Sequence, residues 1–344
     1  MRQDWEQIQF AAIGLDHGHI VGMTQGMLDA GARCKGYWTA GESDAHRQFT
    51  ERFDHVERVN ERARLLDDPS VSLVLIAAPS HDRAALAIEA MEHGKDVMVD
   101  KPGCISLEEL RAIKATVEAT GRIWSVNFSE RFQVRAVSRA SELIREGRIG
   151  KVVQMLGMGP HRLNAKTRPD WFFERERYGG ILVDIASHQI DQFLYLTQSQ
   201  SAEIVHSAVG NFAHPDWNGF EDFGEISLKS GPSQAYIRVD WLTPDALPTW
   251  GDGRLFILGT GGTIELRKYI DFCGRPGKDH LFLVNGTDYL HMDCSDAPLP
   301  YFGDLARDIL ERTETACPQA HTFAVMDLAL KAQKTAEQRG TLAP

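Results

Sequence analysis

The 344 residues are enough for two ordinary domains, and 43% hydrophobic with 25% charged content is that of a globular protein. A net charge of −11 argues against nucleic acid or an anionic membrane surface as a partner, and no segment is apolar enough to span a bilayer. Five cysteines without CxxC spacing argue against a disulfide framework or structural zinc, and MRQDWEQIQF has no signal-peptide pattern, so a reducing cytoplasm is the expected compartment.

In chain order, Ile8 to Gly14 reads as a strand, His19 to Ala30 as a helix and Ala32 to Trp38 as a second strand. Ser43 is placed to cap a helix running to about Arg52, and VERV reads as a weak third strand. VSLVLIAAP is a continuous apolar run, as expected of a parallel strand buried on both faces. A helix from Asp82 to His93, a strand DVMVD, a helix opened by the capping box Ser106-x-x-Glu109, and a sixth strand IWSVN follow. Such alternation implies a doubly wound parallel sheet over residues 1–127. From 128 to 344 the pattern changes. A helix spans Val134 to Glu146, then the β-rich segments KVVQMLGM, EIVHSAVGNF, GEISLK, QAYIRVDWL, RLFIL and GTIEL dominate. Helices are clear there only at Ile181 to Leu196 and near the C-terminus, whose helix can pack back on the first domain. Consecutive strands imply a large, open, mostly antiparallel sheet, and its uncovered face suggests a homo-oligomer, dimer or tetramer.

Between the first strand and helix lies GLDHGH. A dinucleotide turn uses glycines so that backbone N–H groups approach the pyrophosphate at a helix N-terminus. Gly14 alone is in register with G-x-G-x-x-G. Asp16 and His19 take the next two glycine positions, and Gly18 lies one residue early. The turn's place after the first strand favours cofactor contact by Gly14, Asp16, His17, Gly18 and His19 over an ordinary strand–helix turn. His17 and His19 invite a metal, but no third ligand is spaced along the chain to complete a site, so no metal is expected. After the second strand Thr39 stands where an acid would bond the NAD ribose. NAD and NADP both stay open, with a lean to NADP.

Lys101 follows DVMVD and precedes Pro102, at the strand end where ligands bind in such sheets; the alternative is a solvated loop lysine. On the helix from Ile181, the residues Asp184, Ser187, His188, Asp191 and Tyr195 share one arc. Periodicity alone would put that arc in water. Gly179 and Gly180, however, permit another backbone or a ligand near the helix start, and Asp184 is one turn from His188.

These segments, in this order, resemble the glucose–fructose oxidoreductase / inositol dehydrogenase / MocA family. IAAPSHDRAALAIEAMEHGKDVMVDKP is similar to the family's stretch ending in Glu-Lys-Pro, and GGILVDIASHQID to its G-G-x-x-x-D-x-x-x-H-x-x-D helix. RIGKVVQM, GTGGTIEL and the late helices also fit. The resemblance implies an N-terminal Rossmann domain and a C-terminal α/β domain. It also implies a nicotinamide cofactor, contacted by Ala78, Pro79, Ser80, His81, Asp100 and Lys101 as well as the turn, and a sugar, cyclitol or related polyol as substrate. Asp100 replaces the usual glutamate and Ser80 a common asparagine. Lys101 would touch nicotinamide and substrate hydroxyl, His188 would move the proton, and Asp184 would orient it or bind substrate. Arg131 matches a position often filled by arginine, as a ligand contact or a structural group.

The expected reaction is reversible oxidation of a hydroxyl-bearing carbon. His161, Arg168 and Trp171 are expected in the substrate pocket, with packing an equal reading for Trp171. Two other classes remain: a non-catalytic dinucleotide- or sugar-binding regulator, and an NAD-dependent glycosidase.

Overall fold

The structure, a computed structural model, describes Trp5 and residues 7–342. The chain divides into two units. Unit 1 comprises residues 1–127, 176–179 and 300–323; unit 2 comprises 128–175, 180–299 and 324–344.

Unit 1 is a five-stranded parallel sheet in the order β2-β1-β3-β4-β5. Its strands are β1 (Gln9–Leu15), β2 (Arg33–Trp38), β3 (Val71–Ala77), β4 (Asp96–Asp100) and β5 (Trp124–Asn127). All of β4 and β5 and nearly all of β1 and β3 are buried, as two covered faces require. The longer helices between them are α1 (His19–Ala30), α2 (Asp44–Arg52), α3 (Arg83–Glu92) and α4 (Leu107–Thr120). Local chemistry sets their ends. Ser43 Oγ accepts from His46 N at 2.9 Å, starting α2. The capping box opens α4, with Ser106 and Glu109 bonding each other's backbone at 3.1 Å, and Gly121 closes it.

One expected strand is absent. VERV makes only a single bridge, Arg58 to Tyr37, so the sheet has five strands rather than six. With two arginine or glutamate side chains among four residues, this segment has too little apolar surface to enter a doubly covered sheet.

Unit 2 carries an eight-stranded sheet. Its strands are β6 (Val152–Pro160), β7 (Glu203–Gly210), β8 (Phe223–Ser230), β9 (Ser233–Asp240), β10 (Arg254–Gly259), β11 (Gly262–Arg267), β12 (His280–Asn285) and β13 (Tyr289–Asp293). The order is β13-β12-β11-β10-β6-β9-β8-β7, antiparallel throughout except for the parallel pair β6–β9. Before the sheet runs α5 (Arg135–Arg145). The helix expected over Ile181 to Leu196 is broken: α6 (Ile181–Asp184) and α7 (Ala186–Thr197) flank Ile185, whose φ is −105°. Apolar α6 residues and the whole of α7 up to Leu194 are buried, with α7 lying across β6 and β9. Among the described residues no helix is long and apolar enough to cross a membrane.

Candidate functional site

In unit 1 the chain leaves β1 and β3 toward opposite sides of the sheet, and the order β2-β1-β3 makes their carboxyl ends a topological switch point. Gly14 has a φ of +70°, and a Cβ there would lie 2.5 Å from the Ala78 Cβ. Only glycine lets the two loops touch this closely. Asp16 N and His17 N both donate to Ala77 O at 3.1 Å, fixing the turn. Thr39 is buried and its hydroxyl accepts from Leu15 N at 3.2 Å, which engages it in holding the turn from behind. Helix α1 starts after Gly18 with no side-chain cap, so its positive end is presented by backbone alone. That arrangement fits the pyrophosphate of a dinucleotide.

Ser80 is buried at the start of a 3₁₀ turn after β3, and His81 faces Arg177 at 3.2 Å. Arg83, fully enclosed, ties the ends of β3 and β4 together. Its Nε donates to Ala78 O at 2.7 Å, and its other nitrogens reach the carbonyls of Asp100, Lys101 and Pro102 and the Asp100 carboxylate. Arg83 was not legible as a site residue; its one signal was a guanidinium at the head of the apolar run RAALAI. Lys101 is thus set on a braced strand end, buried, with a cis peptide to Pro102.

Asp100 has no solvent exposure, and two imidazoles converge on it. His19 Nδ1 bonds Oδ1 at 2.8 Å, and His17 Nδ1 lies 2.8 Å from Oδ2. Burial alone would raise the Asp100 pKa, but His19, His17 and Arg83 hold it well below the usual carboxylate range. Burial also pushes the His17 imidazolium down to about 4, against the pull of Asp100. At neutral pH the His17 imidazole is therefore neutral, and the Arg83 guanidinium is the fixed cation beside the carboxylate.

In unit 2 the polar arc of the broken helix is not hydrated. Asp184, Ser187, His188, Gln189, Asp191 and Gln192 are all buried, and of the arc only Tyr195 is exposed. The break at Ile185 separates Asp184, which ends α6, from His188 in α7, so the two do not share one continuous helix. The His188 ring packs edge-on to Phe128 with centroids 6.5 Å apart. Further along, Arg131 makes a two-pronged pair with Asp191 at 2.7 Å on each prong, and its guanidinium lies over Phe132 and Tyr195. This gives Arg131 a structural role. Lys268 Nζ donates to Glu130 at 2.6 Å and to Gln192 at 3.0 Å, and Gln189 also donates to Glu130. Glu130 and Lys268 were not legible as partners in the sequence.

The start of α6 is capped from afar. Ile181 N donates to Glu221 at 2.9 Å and Leu182 N to Gln333 at 3.0 Å, while Gln333 donates to Glu221. Gly180, at φ +91°, makes room for Gln333, whose carboxamide lies within 2.6 Å of where a Cβ would stand. The close approach at this glycine, expected of another backbone or a ligand, is made instead by a side chain.

Arg168 donates from Nε to Leu163 O at 3.1 Å, with its guanidinium 4.4 Å from the Phe172 ring centre and 5.0 Å from that of Trp241. Burial lowers its pKa, and the charge of Asp184 opposes that shift, so these two belong to one electrostatic neighbourhood. His161 Nδ1 donates to Gly159 O, 3.1 Å away, with its ring between Trp241 and Trp250. Trp171 is half-buried against Phe172, itself part of a cluster with Phe173, Phe220 and Trp241. Packing is thus part of what this aromatic segment does.

A family model described as an oxidoreductase family with an NAD-binding Rossmann fold matches residues 30–128, and one for the GFO/IDH/MocA C-terminal domain matches residues 137–265. A crystal structure of a candidate oxidoreductase from Erwinia carotovora atroseptica SCRI1043 is similar at a TM-score of 0.93 and 42% identity, over 98% of this chain and 100% of that one. The scyllo-inositol 2-dehydrogenase (NAD(+)) of Bacillus subtilis strain 168 is 32% identical over 208 residues, covering 58% of this chain and 56% of that protein. Levoglucosan dehydrogenase of Pseudarthrobacter phenanthrenivorans is 33% identical over 158 residues, covering 45% and 40%. The chain spans about half the length of these curated relatives. The chain belongs to the glucose–fructose oxidoreductase / inositol dehydrogenase / MocA family of oxidoreductases, with that family's NAD-binding Rossmann domain at its N-terminal end.

Proposed function

We propose that the protein is an NAD(P)-dependent dehydrogenase acting on a hydroxyl-bearing carbon of a sugar, cyclitol or related polyol. The observation that carries this reading is the burial of Asp184 and His188, an acid and an imidazole held out of water on successive helices whose polar arc periodicity alone would have hydrated. The relatives named as scyllo-inositol and levoglucosan dehydrogenases supply the substrate class.

The dinucleotide would be held by the Gly14–His19 turn, Ala78–His81 and the strand end at Asp100 and Lys101. Bound there, the nicotinamide supplies the hydride acceptor. His188 takes the hydroxyl proton, and Lys101 Nζ donates to the oxygen as negative charge develops on it. Asp184 holds a substrate hydroxyl or orients the imidazole, and Arg168, with its ring-stacked guanidinium, lines the substrate side of unit 2 together with His161 and Trp171.

The same reading includes a homo-oligomer in a cytoplasmic setting. One face of the eight-stranded sheet exposes Leu156, Tyr236, Leu258 and Val284 by 38–44%, an apolar surface that a second copy would cover. The test is a thermal-shift screen with NAD, NADP and a panel of polyols and sugars, followed by reduced-nicotinamide absorbance on the hits. Cofactor stabilisation with polyol-dependent absorbance supports the proposal. Stabilisation without turnover points to a regulator, and glycoside cleavage without net absorbance change to a glycosidase.

A further inference from the structure

We propose that unit 1 binds one divalent transition-metal ion of the zinc class between His17 Nδ1, His19 Nδ1 and the Asp100 carboxylate. Two imidazoles and one carboxylate are a donor set suited to Zn, Co, Ni or Fe, and three protein ligands leave a position for water or an exogenous oxygen. The three donor atoms lie within 4.8 Å of one another. Donors of a bound zinc at about 2.0–2.2 Å are a little over 3 Å apart, so the observed 2.8 Å nitrogen–oxygen contacts need only small rotations of the imidazoles to admit an ion.

Two further observations point to a ligand. His17 Nδ1 is buried and faces Asp100 Oδ2 at 2.8 Å, so the nitrogen is already turned toward the carboxylate as a shared ligand set requires. The carboxylate is also braced: Arg83 Nη2 donates to Oδ2 at 3.2 Å, leaving Oδ1 on the side of His19. Metal-binding carboxylates are commonly held in this way by a second hydrogen bond. The rings of His17 and His19 stand edge to face at 4.4 Å, partly exposed, over a carboxylate that is fully enclosed. The imidazoles form a rim that an ion can reach, and the aspartate a floor.

This proposal does not depend on the hydride reading. The full chain, stripped with chelator and dialysed, is titrated with Co(II) alone, following heat and visible absorbance. One equivalent should bind with the d–d absorption of a low-coordinate ion. H17A and H19A should each weaken uptake by at least the roughly 10–100-fold that loss of even an outer partner costs. H55A, which alters a histidine 70% exposed outside the cluster, should bind as the unaltered chain does. His19 opens a helix at a partly exposed position, and thermal unfolding of each variant checks that the fold is kept. A chain that takes up no ion, or a histidine variant of unchanged affinity, overturns the site. Because no dinucleotide or polyol is present, that result leaves dehydrogenase activity to be judged by its own assay.

Discussion

Lys268 reaches across unit 2 to donate to Glu130 at 2.6 Å, and both side chains are buried. Removing the cation would strand a buried carboxylate. Lys268→Met should therefore lower stability by about 3–5 kcal/mol in urea denaturation. Adding Glu130→Gln to the same chain should recover much of that loss. A single variant within about 1 kcal/mol of the starting protein would show that the pair is not the constraint described.

Lys101→Ala should reduce kcat/KM for whichever polyol the screen identifies by roughly 100-fold or more, since a positioned proton-transfer group contributes about that much. The melting temperature should hardly move, because the strand end is braced by Arg83 through backbone carbonyls. Turnover near the original rate would remove Lys101 from the mechanism.

Gly14→Ala and Gly18→Ala make a matched pair. At Gly14 an added methyl group meets Ala78 at 2.5 Å, and the left-handed backbone adds about 1–2 kcal/mol of strain. At Gly18 nothing lies within 4 Å of the new atom and φ is −60°. The first variant should lose stability and dinucleotide affinity together; the second should be the milder by denaturation midpoint. Equal effects would contradict the close contact between the two loops.

Asp308 supplies the pH prediction. Burial raises its pKa, but hydrogen bonds from Thr313, Ala316 and Thr315 outweigh this and leave it depressed. A carboxyl depressed on folding stabilises the native state above its unfolded pKa, and that stability drains away as pH falls through the usual carboxylate range toward the folded value. Asp308→Asn should cost about 1.5–3 kcal/mol at neutral pH, and the gap to the unaltered chain should narrow in acid. A gap that is constant with pH would exclude an ionised Asp308 as the cause.

Leu258→Glu tests the open sheet face. Leu258 is 44% exposed in the single chain, so a charge there should leave the monomer folded while reducing the mass seen by light scattering to that of one chain. An unchanged multimer would move the interface elsewhere.

The parallel sheet was legible because strands buried on both faces must be apolar along their whole length, as VSLVLIA and DVMVD are. The capping box at Ser106 was legible because its partners are three residues apart. Strands β12 and β13 were missed; HLFLVN and YLHMD mix polar and apolar residues without length enough to reveal their pairing. At the candidate site, Lys101, Asp184 and His188 stood out by motif. The convergence of His19 on Asp100 did not, since 81 positions separate them. Nor did the burial of α7's polar residues, whose partners Arg131, Glu130 and Lys268 come from elsewhere in the chain. Periodicity reports which residues share a face. It does not report what the rest of the chain lays against that face.

Strand β6 has no local partner: Gln154 aligns with Gln234 on one side and Met158 with Arg254 on the other. At a ribosomal pace of roughly 5–20 residues per second, both of its edges wait several seconds after synthesis before either neighbour exists. During translation this strand is an unguarded template for aggregation, and a message truncated ahead of β9 would release it permanently in that condition.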